Sequence, residues 1–134
     1  LHTTNATRTV DRILDVFPPQ EQSQIRAMVS ESLRGVISQR LLPRSDMDGM
    51  VAAVEVLFNT SAISNLIREK KTFQIPSIMQ TSKKEGMVVM DDSLLELLKQ
   101  NKISIEVALQ NAEEPERFRS SPKGGGEMKN AKGR

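Results

Sequence analysis

The stretch Thr60–Gln80, TSAISNLIREKKTFQIPSIMQ, sets two short helix signals end to end without a linker. Thr60 can cap a helix whose apolar positions Ile63, Leu66 and Ile67 recur at i, i+3, i+4, and Thr72 can cap a second carrying Ile75, Ile78 and Met79. Between them stand Arg68, Glu69, Lys70 and Lys71. On physical grounds alone this is a helix pair with a polar elbow, which as a default is a solvated corner of a helical domain.

The flanking segments say what this corner belongs to. Thr3, Thr4 and Asn5 precede Val10, Ile13, Leu14 and Phe17, spaced as one face of a helix that Pro18 and Pro19 end. Pro19 then suits the first position of a second and longer helix, from Gln20 to about Gly35, with Ile25, Met28, Val29, Leu33 and Val36 on one stripe and Glu21 near its positive end. Val36–Leu42 and Met50–Phe58 are apolar or β-branched runs separated by Pro43 and the turn-forming Ser45–Gly49, which predicts two strands joined by a loop. Past the elbow, Gly86 suits a helix end, Asp91 or Asp92 a cap for SLLELLKQ, and Ser104 a cap for IEVALQNA. The pattern ends at Pro115, and residues 119–134 lack the apolar side chains that would offset their ordering entropy, so they are expected to be disordered. Mixed helix and strand before Phe58 and helices alone after it predict an α/β core edge followed by a helical subdomain.

Composition removes several classes of function. Without cysteine and with one histidine, the chain has neither a disulfide framework nor a Cys or His metal site. No apolar run of about 18 residues and no signal-like N-terminus occur, so a cytoplasmic protein is expected. The net charge of +2 is unevenly spread: residues 117–134 hold six Lys or Arg and one Glu, a net +5, leaving −3 for the rest. Four Phe with no Trp or Tyr give little for bases to stack on, so no nucleic-acid partner is expected and the tail reads as a solubilising extension.

Candidate chemistry is sparse. His2 and Thr3 at a helix start suit a phosphate, because free N–H groups, the helix dipole and an imidazole all favour a negative group there. Arg8 and Arg12 share a helix face, where Asp11 and Asp15 can pair with them. Asp46, Asp48 and Gly49 superficially match a calcium loop, but the acid at the twelfth position is missing, so a turn is expected.

These segments, in order, resemble the family of type IV pilus retraction and secretion ATPases from Leu1 to about Ala112. LHTTNATRTVDRILDVFP is similar to that family's His box, QIRAMVSESLRGVISQRLL and VAAVEVLFNT to the segments that follow, AISNLIREKKTFQI to its AIRNLIRE motif, and the match continues through IPSIMQTSKKEGMVVMDDSLLELLKQNKIS. The resemblance implies an α/β fold: the distal part of a RecA-like P-loop ATPase core over residues 1–58, an all-helical C-terminal subdomain over 59–112, and a basic tail over 113–134. It also implies catalytic roles for His2, near the γ-phosphate, and Thr3, nucleotide binding by Arg12, and motor coupling by Ala62, Ile63, Asn65, Leu66, Ile67, Arg68 and Glu69. ATP and Mg²⁺ are the implied cofactors, and the implied partners are further copies of the chain in a hexamer and an inner-membrane pilus platform protein, met at the inner face of the cytoplasmic membrane. Three positions depart from the motif: Ser64 stands for Arg, Lys70 for a frequent Gly, and Phe73 for a frequent His.

No GxxxxGK[ST] loop occurs in the 134 residues. The nucleotide site is therefore expected to be incomplete here, with its phosphate loop upstream in a longer protein. The readings in competition are a small helical interaction module that uses the elbow, and a nucleic-acid binder that uses the tail.

Overall fold

The computed structural model describes residues 5–119. Its elements are α1 (Ala6–Asp15), α2 (Pro19–Ser32), β1 (Gly35–Pro43), β2 (Met50–Phe58), α3 (Ser61–Arg68), a 3₁₀ turn (Thr72–Gln74), α4 (Ile75–Gln80), a second 3₁₀ turn (Lys83–Glu85), α5 (Met90–Lys99), α6 (Ile105–Asn111) and α7 (Glu116–Arg119). The two predicted strands pair as a two-stranded sheet. The described residues divide into two compact units: one comprises the chain up to Gln39 with Val54–Val89, the other Arg40–Ala53 with the chain from Met90.

In the first unit, α1 begins where the sequence predicts, with the Asn5 side chain accepting from Arg8 N at 2.8 Å. Val10 and Leu14 of its stripe are buried, but Ile13 lies at the edge, 39% exposed. α2 starts at Pro19 as expected and stops at Ser32, before Gly35, so Val36 of the predicted stripe belongs to β1 instead. Its predicted stripe is rotated: Ile25, Val29 and Leu33 pack on the core, Met28 faces out, and Arg26 and Ser30 are buried instead. Arg26 donates to Ile67 O of α3, while the Ser30 hydroxyl donates to Ala27 O within α2 and its carbonyl accepts from Asn59 and Ser64. Leu57, Ile63, Ile67, Ile75, Met79 and Met87 complete this core.

The elbow departs from its sequence reading at one end. Thr60 caps α3 as expected, its hydroxyl accepting from Ile63 N at 3.4 Å. Thr72 does not cap the next helix: it lies inside a 3₁₀ turn, and its hydroxyl donates to Asp11 of α1 at 2.8 Å. α4 starts instead at Ile75 with Pro76 in its first turn and no side-chain cap. Gly86 has φ +90°, as a left-handed terminating residue should, but it closes the Lys83–Glu85 turn rather than a helix.

The second unit packs Leu42, Ala53, Met90, Leu94, Leu97, Leu98, Ile103, Ala108 and Phe118 together. Ser104 caps α6 as predicted, accepting from Val107 N at 3.2 Å. The expected Asp91 or Asp92 cap is not found, because α5 begins at Met90 and both acids lie in its first turn. Asp91 is buried and accepts from Glu113 N at 2.8 Å and Glu114 N at 2.9 Å, while Asp92 pairs with Arg117 at 2.6 Å. These contacts order the chain past Ala112, and Phe118 is fully buried on α7, beyond the end of the sequence pattern. The disorder expected from residue 119 does not hold at Arg119, which ends α7, and residues 120–134 lie outside the described residues.

In the hairpin loop, Arg44 Nε and Nη2 donate to the two oxygens of Asp46 at 2.8 and 2.7 Å. This fork holds the Asp46 carboxyl down at about 2. Among the described residues no cluster of three or more His, Cys, Asp or Glu side chains suits a metal ion.

The burial of α3 yields a graded expectation. Ile67 is fully buried whereas Leu66 is partly buried, so Ile67→Ala should lower the unfolding free energy by about 2–5 kcal/mol and Leu66→Ala by visibly less. Denaturant unfolding of the two variants checks the order, and equal losses would contradict the packing described.

Candidate functional site

His2 and Thr3 lie outside the described residues. Arg12 is exposed on α1, with no hydrogen bond or ion pair among the described residues, so its guanidinium is open to an anionic group such as a phosphate. Its neighbour Asp11 does not pair with it as the spacing allows, because Asp11 takes the Thr72 hydroxyl. That bond ties the helix carrying Arg12 to the elbow.

The elbow is built from helix ends. A helix terminates in carbonyl groups with no partner of their own, and where they are buried something else must donate to them. Arg26 of α2 donates from Nη1 to Ile67 O, near the end of α3, at 3.3 Å. Reciprocally, Asn59, just before α3, donates from Nδ2 to Ser30 O at 2.9 Å and Leu33 O at 2.7 Å, at the end of α2. Each helix therefore has its negative end met by a donor from the other helix or from the residue leading into it, and the guanidinium also matches the sign of the dipole it faces. Ser64, where the resembled motif has Arg, donates its hydroxyl hydrogen to Ser30 O in a short contact, adding a donor at the same place.

Seven positions of the motif thereby fall into two groups. Ile63 and Ile67 are buried and Leu66 is partly buried, facing α2 and the core. Ala62, Asn65, Arg68 and Glu69 are exposed. Arg68 Nη1 donates to Asn65 Oδ1 at 3.1 Å, and Lys71 pairs loosely with Glu69 at 3.6 Å. Arg68, Asn65, Ser64 and Ser61 line one side of an open polar cleft of about 380 Å³, and Ser30, Glu31 and Arg34 line the other.

What places the charges beyond Arg68 is the way α3 ends. Lys71 N donates to Leu66 O at 2.8 Å and Lys70 N to Ile67 O at 3.4 Å, the paired pattern of a Schellman motif, and Lys70 takes the left-handed conformation this requires, at φ +62°. Phe73, just beyond the reversal, is 73% exposed. The same construction ends α5, with Lys102 N donating to Leu97 O and Asn101 at φ +58°.

Three residues central to this geometry escape sequence reasoning: Arg26, Asn59 and Glu55. Arg26 occupies a helix that reads as an ordinary amphipath, and Asn59 sits in a connection where it passes for a turn residue. Glu55 carried a signal, being the one ionisable residue in the apolar strand MVAAVEVLF. It is 6% exposed and accepts from Ala6 N at 2.7 Å.

Comparison with known proteins gives the following. No protein-family model matches the chain. It is 50% identical over 116 residues to a twitching motility protein of Neisseria gonorrhoeae, covering 87% of this chain and 31% of that protein. It is 47% identical over 118 residues to the type IV pilus retraction ATPase PilT of Pseudomonas aeruginosa, covering 88% of this chain and 34% of that one. Among solved structures, the pilus retraction motor PilT with bound ADP superposes with a TM-score of 0.74 at 41% identity, covering 87% of this chain and 32% of that chain. The chain thus spans about a third of the length of these relatives, and its fold is that of a part of the ATPase.

The left-handed residue at the elbow gives a direct expectation. A side chain at φ +62° is strained where glycine is not, so Lys70→Gly should raise the unfolding free energy by up to about 1 kcal/mol and β-branched Lys70→Ile should lower it. Thermal unfolding of the pair checks the sign, and an isoleucine variant more stable than the glycine variant would contradict the geometry.

Proposed function

We infer that this chain, a homologue over most of its length of about a third of the twitching-motility and pilus retraction ATPases, is the distal part of a motor of that kind. The complete protein hydrolyses ATP and uses the energy to retract type IV pili. It works as a homo-oligomer, a hexamer, at the inner face of the cytoplasmic membrane, against a platform protein of the pilus base. Identity of 47–50% across seven-eighths of the chain carries this reading. The structure supports it through the elbow: a motif whose apolar half is packed and whose charged half stands in solvent is built to touch a partner.

ATP supplies the phosphoryl group whose transfer drives the motor, a reaction in which the protein mainly positions and neutralises charge. Arg12, exposed in the last turn of α1, is assigned to the nucleotide's anionic groups, and His2, with Thr3 beside it in the sequence, to the γ-phosphate. The phosphate-binding loop, and the acids that hold Mg²⁺ with the nucleotide, belong to the remaining two-thirds of the complete protein. Residues 1–134 alone accordingly turn over ATP at background rates. No helix among the described residues is long and apolar enough to cross a membrane.

The elbow's role follows from what its charges do not do. Arg68 and Glu69 are exposed, and charges in such positions are usually worth under about 1 kcal/mol of stability. In the complete ATPase, Arg68→Ala and Glu69→Ala should therefore keep the melting temperature and the ATP turnover while pilus retraction fails. All three quantities are to be measured on the same variants. Normal retraction by the double variant would refute the coupling role, and a collapse of melting temperature would make the charges structural.

A further inference from the structure

The polar cleft between the end of α2 and α3 holds both donors and acceptors, and the hydrogen bonds within it engage the two kinds unequally. Most acceptors are taken. Asn59 Nδ2 meets Ser30 O at 2.9 Å and Leu33 O at 2.7 Å, the Ser64 hydroxyl meets Ser30 O as well, Asn59 N meets Arg34 O at 3.0 Å, and Thr60 Oγ1 accepts from Ile63 N. The donors at the rim are left over. The Arg34 and Ser61 side chains make no hydrogen bond or ion pair among the described residues, and Arg68 engages only Nη1, with Asn65 Oδ1 at 3.1 Å. Glu31 is the one acid on the lining.

A concave surface whose remaining hydrogen-bonding capacity is mostly donor takes an acceptor, and guanidinium groups on facing walls favour a charged one. The charge it can match is small. Arg34 and Arg68 stand against Glu31, which leaves a single net positive charge on the lining. A carboxylate matches that charge and offers two oxygens to a guanidinium fork, whereas a phosphate monoester carries about −1.5 to −2 and would leave negative charge unmatched beside Glu31. At about 380 Å³ and open to solvent, the space suits a short stretch of chain. The chain's own C-terminal stretch has the wrong sign, since residues 117–134 hold six Lys or Arg and one Glu. We propose that this cleft receives an acidic segment of a partner protein, an Asp or Glu carboxylate held by Arg34 and Arg68. The proposal rests on the coupling role read for Arg68 above and deepens it: it adds Arg34, which lies outside the AIRNLIRE-like motif, and it fixes the chemistry of the partner.

Two measurements test this. In the first, the present chain is titrated with an acetylated tetraglutamate peptide and followed by NMR through arginine side-chain and backbone N–H signals. Signals of Arg34, Arg68 and residues 61–65 should move with tetraglutamate and stay in place with tetraglutamine. Arg34→Ala should weaken binding read at residues 61–65 at least about fivefold, while Lys84→Ala, an equal loss of charge at an exposed site outside the cleft, should change it by less than about twofold. No movement of these signals, movement confined to the rest of the chain, or equal weakening by Lys84→Ala would overturn the proposal. Inorganic phosphate at the same concentration moving the same signals as far would overturn it in favour of a phosphate site. In the second, pilus retraction and melting temperature are measured on the complete ATPase. Arg34 is exposed, so Arg34→Glu should keep the melting temperature while retraction fails, and Arg34→Lys, which keeps the charge, should recover part of it. A collapse of melting temperature in Arg34→Glu would overturn the proposal in favour of a structural role. If Arg34→Glu retracts normally while the double variant at Arg68 and Glu69 does not, the cleft proposal falls and the coupling role stands. If the double variant retracts normally, the coupling role falls and takes the cleft's purpose with it, whatever the peptide binds.

Discussion

Arg26 is the residue on which the arrangement of the first unit turns. It is 91% buried, given its 9% exposure, and a guanidinium taken that far from water must be matched by acceptors or it destabilises the fold. Its Nη1 is met by Ile67 O at the end of α3 while its buried Nε has no partner among the described residues, and Asn59 donates in return to Ser30 O and Leu33 O at the end of α2. Two helices are locked at their ends rather than only along their sides. Ridge packing tolerates sliding by a fraction of a turn, whereas a donor aimed at one carbonyl does not. With α3 fixed in register, the reversal at Lys70 and the Thr72–Asp11 bond follow, and the box helix α1 is brought to the same elbow.

This division of labour bears on how a motor of the proposed kind uses the motif. Ile63 and Ile67 give the helix its place, and Arg68 and Glu69 are presented by it at little cost to stability. On our reading the charged half is free to engage a partner because the apolar half carries the packing. Ser64 shows how the motif accommodates change: where the resembled family has a long cation, the hydroxyl here adds a donor at the end of α2, so the charge pattern of the cleft differs while the seating of the helix is retained.

How much of this was legible in the sequence depends on the range of the interaction. The strands, the Pro19 start of α2, and the Thr60 and Ser104 caps were all readable, because each is decided within a few residues. Thr72, Asp91 and Asp92 looked like caps of the same type and were not. Their partners lie 61, 22 and 23, and 25 residues away, and a long-range partner outcompeted the local one. The stripe on α2 departs from its apolar spacing for the same reason, since a hydrophobicity pattern cannot announce that an arginine will be buried to serve a distant carbonyl. Phe118, beyond the last periodic segment, is buried because Asp91 holds the chain before it. Of the candidate site, the charged elbow was visible as composition, but its division into packed and presented faces needed the fold.

The claim that α3 is held by its ends is tested most directly by hydrogen exchange on Arg26→Met, which keeps the apolar stem and removes the donors. If the account is right, amides of Ser61–Arg68 lose protection, by about 1–3 kcal/mol in opening free energy, while those of α5 keep theirs. Undiminished protection of α3 in that variant would show that side-to-side packing alone seats the helix, and the account would fail.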